Sequence, residues 1–512
     1  MNNLKLDVYS HGVRLHGYTR NLFGEIVHFL SRLELKEDKR LPRHQGGGMV
    51  TVVRKKFFGI LNSKREIYIH RHHLEALLTF LKGCGLTEQN FIIEYIDPPK
   101  GQRIEGVEIF DHFVERDYQG ILIPELAEDV QRSRKVDLAT GLGKTFCSLK
   151  ACLLRGERFS VMLAPKYFGL WIGALNDTFK TFKDVPGQYI TVSGGNELRM
   201  VMQQALDGTL EAKAIIISNT TYRNYIEAYE QFGENIVDHG YLVPPQRFHE
   251  LLGIGTQIND EFHEDLGLTF RIDCFTNIKK QLYLSATPFN GDRYVTDMVD
   301  VMLPPETYCT IPEPPKYINV LELLYQDDVE ARDYLTPQKN SYNHARYEKM
   351  MLKKKRRLNT YFSKVAKVVD KAFVSDFEPG QKMLILCATV DFIQALTKYL
   401  KVQFPNVKIG HYVSGVSYDT VKAQDITVST IKSAGTGVDI RNLRETLLLQ
   451  AVGSDKDNIQ ILGRTRPLKD FPDVTPRLIY FTCIDIRQHR KYAQKKKETF
   501  AGRILHSRTM RL

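Results

Sequence analysis

Leu138-Ala139-Thr140-Gly141-Leu142-Gly143-Lys144-Thr145 decides how the rest of the chain is read. Its glycines let the backbone bend tightly, so that successive N–H groups can point at one polyanion. Val136-Asp137-Leu138 can end a strand. Phe146 to Leu154 suits a helix, with Phe146, Leu149 and Leu153 at helical spacing. A helix beginning there offers unpaired N–H groups and the positive end of its dipole to a phosphate. The pattern G-x-x-x-x-G-K-[ST] is met at Gly143, Lys144 and Thr145, while Leu138 stands in place of the first glycine. A chance turn before a helix is the competing reading of eight residues alone. On the phosphate reading, Lys144 reaches the β- and γ-phosphates and Thr145 gives its hydroxyl to a magnesium ion.

Composition bounds the rest. A chain of 512 residues suggests several domains, and 43% hydrophobic residues suffice for packed cores. No apolar run reaches membrane-spanning length, and Met1 to Asp7 lacks signal-peptide form, so a cytoplasmic location is expected. The seven cysteines (Cys84, Cys147, Cys152, Cys274, Cys309, Cys387 and Cys483) include no Cys-x-x-Cys pair. That fits a reducing compartment and indicates no zinc site.

The net charge of +11 is unevenly spread. Residues 1–100 hold 16 Lys/Arg against 10 Asp/Glu, and residues 487–512 hold nine against one. Lys353-Lys354-Lys355-Arg356-Arg357 is a third basic block. Any one of these can be a solvated face, but three beside a phosphate loop point towards nucleic acid. Arg54-Lys55-Lys56-Phe57-Phe58 interleaves cations and rings; its lysines and Arg54 are expected on phosphates, and its phenylalanines in a core. His70, His72 and His73 lack the spacing of a metal site and are expected at the surface.

Periodicity divides the chain. Residues 1–100 read as a small basic α+β domain: a strand over Leu4–Leu15, a helix over Asn21–Leu35, and a hairpin from Met49–Ile60 and Glu66–His70 around Asn62-Ser63. A helix over His72–Leu81 and a strand over Phe91–Ile96 complete it. From 101 to 305 strands alternate with helices. Residues 306–375 read as a linker and a basic helical insertion, with Leu358, Phe362, Val365 and Val369 forming one stripe. A second alternating series fills 376–486, and 487–512 is a basic tail, helix or arm. The expected class is α/β, with two parallel-sheet domains in tandem.

Hydrolysis of a bound nucleotide needs acids beside the loop, and Asp260-Glu261-Phe262-His263 supplies them. Asp260, at a strand end, would hold magnesium, and Glu261 would act as general base towards water. His263 would couple this site to the next motif. The strand before it, Ile254 to Asn259, is more polar than a central parallel strand should be.

Together these residues resemble superfamily 2 helicases of the DExH type over about residues 105–485. Gln119, in Arg116-Asp117-Tyr118-Gln119, matches the glutamine that reads adenine in that family. Thr140, Gly141, Gly143, Lys144 and Thr145 match the nucleotide loop. Ala164-Pro165-Lys166 and Ser218-Asn219-Thr220-Thr221-Tyr222 resemble segments that touch the nucleic-acid backbone, through Pro165, Lys166 and Thr220. Ser285-Ala286-Thr287 matches the motif linking hydrolysis to domain movement, through Ser285 and Thr287. Ser433 to Asp439 resembles a nucleotide-contacting motif of the second domain, through Gly437 and Asp439. Gln460-Ile461-Leu462-Gly463-Arg464 matches the arginine motif, but its second arginine position falls on Pro467, with Arg466 one residue early.

The resemblance implies RecA-like tandem domains that use ATP and Mg2+, with Lys144, Asp260, Glu261, Gln460, Arg464 and Arg466 as the catalytic set. It implies a DNA helicase or translocase. The small basic N-terminal domain is similar to that of phage and large-virus helicases of the T4-type branch-migration and annealing group. That kinship implies forked or branched DNA as partner, in host cytoplasm. Lys353 and Lys354 join Arg54, Lys55 and Lys56 as expected phosphate contacts. Two alternatives stay open: an RNA helicase, and an ATP-switched clamp or annealing factor without unwinding.

Overall fold

The computed structural model describes residues 4–40, 49–130, 132–138, 142–285, 293–309, 316–337, 340–413, 421, 423–435 and 440–512. Two compact units emerge, one of Met1–Leu138 with Gly143–Pro312 and the other of Ala139–Leu142 with Glu313–Leu512.

The first unit opens with the strands β1 (Leu4–Val8) and β2 (Gly12–His16), then the ribbon strands β3 (Glu34–Arg40) and β4 (Met49–Lys56). β5 (Phe58–Ile60), β6 (Glu66–His70) and β7 (Phe91–Tyr95) follow. They form a sheet of order β5-β6-β2-β1-β7 and a separate antiparallel ribbon β3-β4. The expected single strand over Leu4–Leu15 is therefore a hairpin, with Leu6 opposite Leu15. The reason lies in the turn. Ser10 Oγ accepts from the Ile278 backbone N–H (2.8 Å), and Asn277 Oδ1 accepts from Ser10 N (3.1 Å). A Cβ on Gly12 would stand 2.0 Å from the Cys274 carbonyl oxygen, so only glycine fits the strand start. Of the expected hairpin around Asn62-Ser63 only Phe58–Ile60 pairs with Glu66–His70, with Ile60 opposite Ile67, while Met49–Lys56 pairs with Glu34–Arg40 instead.

This sheet has no core of its own. Phe57 meets Phe270 edge-on at 5.1 Å, and Tyr68 stacks on Phe275 at 4.3 Å. Phe57 and Phe58 are both buried, as expected of core rings. Of the three histidines expected at the surface, only His72 is exposed; His70 and His73 are buried against Phe270. Burial holds the His70 imidazole well below its usual pKa, which keeps it neutral in the core.

The central sheet of the first unit is parallel, in the order β10-β11-β9-β12-β13-β8. Its strands are β8 (Ser133–Asp137), β9 (Phe159–Leu163), β10 (Tyr189–Val192), β11 (Ala214–Ser218), β12 (Thr256–Asp260) and β13 (Lys280–Ser285). β9 and β11 are buried along their whole length, which apolar runs such as Ala214–Ile217 make possible. β12 breaks that pattern and is nonetheless central. Gln257 faces Gln281 across the β12–β13 pair. Gln257 Nε2 donates to Asn259 Oδ1 (3.0 Å), and Asn259 Nδ2 donates to Gln281 Oε1 (2.6 Å). Gln281 Nε2 in turn donates to Asp273 Oδ1 (3.1 Å). The buried amides satisfy one another, so a polar strand can sit mid-sheet.

The second unit holds a parallel sheet of order β16-β17-β15-β18-β19-β14-β20. Its strands are β14 (Asn319–Tyr325), β15 (Lys382–Cys387), β16 (Ile409–Tyr412), β17 (Ile426–Thr430), β18 (Leu443–Leu448), β19 (Arg477–Cys483) and β20 (His506–Arg511). Two strands come from stretches read as linker and tail. β14 pairs with β19 on one side and β20 on the other. β14 hides behind a proline-rich approach, and β20 is polar and exposed throughout, as an edge strand allows. The expected basic helical insertion holds two longer helices, His344–Leu352 and Lys355–Ala372, parted at Lys353-Lys354. Among the described residues, no helix is long and apolar enough to cross a membrane.

Candidate nucleotide site

The C-terminal ends of β8, β12 and β13 carry the chemistry of the first unit. After β8 the chain reaches Gly143, at φ +84°, and enters the helix Lys144–Arg155. Two constraints make Gly143 a glycine. Its backbone lies in the left-handed region, and a Cβ there would stand 2.5 Å from Gln119 Nε2. No side-chain hydrogen bond caps that helix, so its first N–H groups face the loop.

Gln119 is buried in the helix Asp117–Ala127. Its Oε1 accepts from the Arg116 backbone N–H at 3.0 Å, which fixes the amide beside Gly143. Nearby, Phe113 stacks on Phe146 at 4.9 Å.

β12 ends at Asp260, and Glu261 follows at φ +48°, a left-handed conformation costly for a residue with a Cβ. The turn directs both carboxylates at Lys144. Lys144 Nζ donates to Glu261 Oε1 at 2.5 Å and lies 3.7 Å from Asp260 Oδ1. Burial works against the Lys144 ammonium, but the two carboxylates outweigh it and hold its pKa above the usual range. Burial pushes the Asp260 carboxyl up; Lys144 opposes that, and the Glu261 charge adds to it. Among the described residues Glu261 Oε2 finds no hydrogen-bond partner, although His263 Nδ1 lies 3.3 Å away. His263 Nδ1 also sits 3.1 Å from Ser285 Oγ at the end of β13. Thus Lys144, Asp260, Glu261, His263 and Ser285 lie together.

Trp171, Tyr167 and Glu264, which sequence reading missed, complete the acidic loop. Trp171 Nε1 donates to Asp260 Oδ2 at 2.8 Å. Tyr167 OH donates to Glu264 Oε1 at 2.6 Å, and Lys166 Nζ lies 3.0 Å from Glu264 Oε2. The one available signal was that the chain's only tryptophan falls five residues after Lys166.

The other expected residues fall as follows. Pro165 and Lys166 form a short turn after β9, and Thr220 lies in the first turn of the helix Asn219–Phe232 after β11. Lys55 Nζ lies 3.8 Å from Asp265 Oδ1, and Lys56 is exposed. In the second unit, Gln460 lies on the helix Asp455–Leu462. Arg464 and Arg466 flank Thr465, which is buried and shares a hydrogen bond of 3.0 Å with Thr446. Lys353 is exposed, whereas Lys354 pairs with the buried Asp333 at 3.0 Å. Thr140, Gly141, Thr287, Gly437, Asp439 and the Arg54 side chain lie outside the described residues.

No family model matches this chain, and no curated protein matches it. Solved structures do. Mss116p, bound to ssRNA and AMP-PNP, matches at TM-score 0.50 and 16% identity, over 77% of this chain and 74% of that one. A Dbp5 variant from S. cerevisiae, bound to a Gle1 variant and IP6, matches at TM-score 0.50 and 13% identity, over 77% of this chain and 88% of its own. The likeness is one of fold: tandem RecA-like domains. A match to T4 UvsW spans 99% of both chains at 16% identity, but its TM-score of 0.32 carries no weight.

Proposed function

We propose that this chain is an ATP-driven nucleic-acid helicase or translocase of the DExH type. The observation that carries the reading is the convergence of Lys144, which follows β8, with Asp260 and Glu261 at the end of β12, two strands that flank β13 in one parallel sheet. The geometry also fits the two absent groups. One cation faces two carboxylates there, and Glu261 Oε2 is buried without a hydrogen bond among the described residues. Such a cluster is short of positive charge. Among the described residues, no three His, Cys, Asp or Glu converge on one point that could hold a metal. A magnesium ion suits such a place, since it takes few protein oxygens and completes its shell with phosphate and water. Thr145 and Asp260 would hold it, and it would neutralise charge on the transferred phosphoryl group.

The chain's own residues then have defined tasks. Gly143 and the helix start receive phosphate oxygens. Gln119, beside Gly143, would read the adenine edge. Lys144 is bonded to Glu261, so a triphosphate would compete with Glu261 for the ammonium. Once Lys144 turns to phosphate, Glu261 can accept a proton from water. His263 would pass the change to Ser285 and on to Thr287. Arg464 is the arginine we assign to transition-state charge, with Gln460 and Arg466 beside it.

For substrate we propose DNA, forked or branched, gripped mainly through phosphates by Lys166, Pro165 and Thr220 and by basic side chains such as Lys55, Lys56 and Lys353. The support is the three basic regions and the resemblance of the motif series. The test is ATP hydrolysis and strand separation by the full chain on single strands, forks, four-way junctions, duplexes and RNA. Stimulation by forks or junctions with unwinding is expected. Stimulation by RNA alone would make it an RNA helicase. Binding without unwinding, unchanged by Lys144→Ala and Glu261→Gln, would make it a clamp.

A further inference from the structure

The segment after β9 is tied twice to the acidic loop after β12. Trp171, on the helix Phe168–Thr178, is almost wholly buried and places its single polar atom 2.8 Å from Asp260 Oδ2. Just upstream in the chain, Tyr167 and Lys166 both hold Glu264. Asp260 is thereby fixed by both oxygens, since Oδ1 accepts from the Glu261 backbone N–H at 3.1 Å.

The choice of donor matters. An indole N–H can only donate, so Asp260 Oδ2 must accept from it. Being neutral, it leaves the negative charge in place for a cation. A lysine or arginine at that point would cancel the charge that a metal needs. The donor also sits on the same short helix that follows Pro165-Lys166. Displacement of that segment therefore moves the group that orients Asp260.

We propose that Trp171 is a positioning residue for Asp260, and that through it the Lys166 segment transmits nucleic-acid engagement to the metal-holding carboxylate. The proposal rests on the helicase reading above and deepens it.

The test uses the full chain and its one tryptophan as reporter. Emission is recorded with ADP and magnesium, with ADP and EDTA, and after adding single-stranded DNA. A magnesium-dependent change is expected, and a further change with DNA. Hydrolysis is then measured against magnesium at saturating ATP for the unaltered chain, Trp171→Phe and Trp171→His. Trp171→Phe keeps a ring and loses the donor. It should raise the magnesium needed for half-maximal rate about 5-fold and cut DNA stimulation by at least half. Trp171→His restores an N–H donor and should recover part of both. A purely packing role would lower the melting temperature and leave magnesium dependence unmoved. Wild-type magnesium dependence in Trp171→Phe, or emission indifferent to magnesium, overturns the proposal. If Trp171→Phe does not fold, the emission series on the unaltered chain decides. An unaltered chain that binds ADP and magnesium with the emission change yet hydrolyses nothing would sink the helicase reading and spare the contact.

Discussion

Two largely buried clusters of cations and carboxylates, each with partly exposed members, can be set side by side. In the first unit, Lys144 faces Asp260 and Glu261. In the second, Arg357 and Lys354 face Asp327 and Asp333. The second is balanced and closed. Arg357 Nε and Nη2 donate to Asp327 at 2.9 and 2.8 Å, Nη1 donates to Asp333 at 2.8 Å, and Tyr347 OH adds a bond to Asp327 at 2.5 Å. The first is one cation short, carries a left-handed Glu261 and, among the described residues, leaves an oxygen unbonded. Their acids respond oppositely. Burial would raise Asp333, but Lys354 and its other partners outweigh it and pull the carboxyl below its usual range. Asp260 is pushed up. A satisfied cluster builds structure; an unsatisfied, strained one is held for a ligand.

The hardest blow to this contrast would come from Glu261→Gln. It removes the proposed base and keeps the shape. Turnover should fall by roughly 10²- to 10⁴-fold, while nucleotide binding, read by titration calorimetry, persists. Lys144→Ala should abolish both. Unchanged turnover in Glu261→Gln would mean that this cluster is as structural as the other.

Arg357→Ala should do the reverse. It leaves Asp327 without its cation and Asp333 with Lys354 alone, and a buried pair that loses one partner costs about 3–5 kcal/mol. Thermal unfolding of the full chain should show the second unit melting earlier, while the first keeps its midpoint. A shift below about 1 kcal/mol would show Asp327 and Asp333 taking up water or protons at little cost.

Sequence reading found the first cluster and misjudged the second, for a physical reason. Lys144, Asp260 and Glu261 sit in short motifs whose spacing is dictated by chemistry at strand ends. Lys353 to Arg357 is a run of like charge, and nothing local reveals that Asp327 and Asp333 lie beneath two of its members. Partners about 20 to 30 residues away are set by the packing of the long helix Lys355–Ala372. The same blindness hid β14 and β20, whose pairing is with distant strands. The polarity of β12 was legible but not its remedy, since Gln281 and Asp273 come from other elements. By contrast the apolar runs of the inner strands of both parallel sheets were plain, because those strands are buried on two faces.

A third buried acid sharpens the comparison. Asp273 has no partner cation in bonding distance among its hydrogen bonds; Tyr283 and Gln281 donate to it at 2.6 and 3.1 Å. Burial pushes its carboxyl up to about 7, against those donors. The folded state therefore binds a proton that the unfolded chain, at its ordinary 3.8, has released. Stability from this group is present at low pH and falls as pH rises from about 4 to about 7. Asp273→Asn should flatten that slope, and the difference between the two chains should span roughly 2–4 kcal/mol by urea unfolding across the window. Parallel pH profiles would show that His70, 3.9 Å away, compensates the charge.

The smallest effect divides the basic block itself. Lys353, Lys355 and Arg356 are exposed, whereas Lys354 and Arg357 are committed to the acids below. Reversing an exposed member, as in Lys355→Glu, should leave the melting temperature in place. If that face meets DNA, affinity should fall a few-fold for every sequence, and the slope of log affinity against log salt should shrink by about 0.9 for each phosphate no longer neutralised. Lys354→Glu should instead unsettle the fold through Asp333 and change the salt slope less. The two variants differ by one position in the chain, so composition and net charge are matched. Equal salt slopes and unequal stabilities would leave the whole block to structure and move the DNA-binding face to the N-terminal ribbon, where Lys56 is exposed.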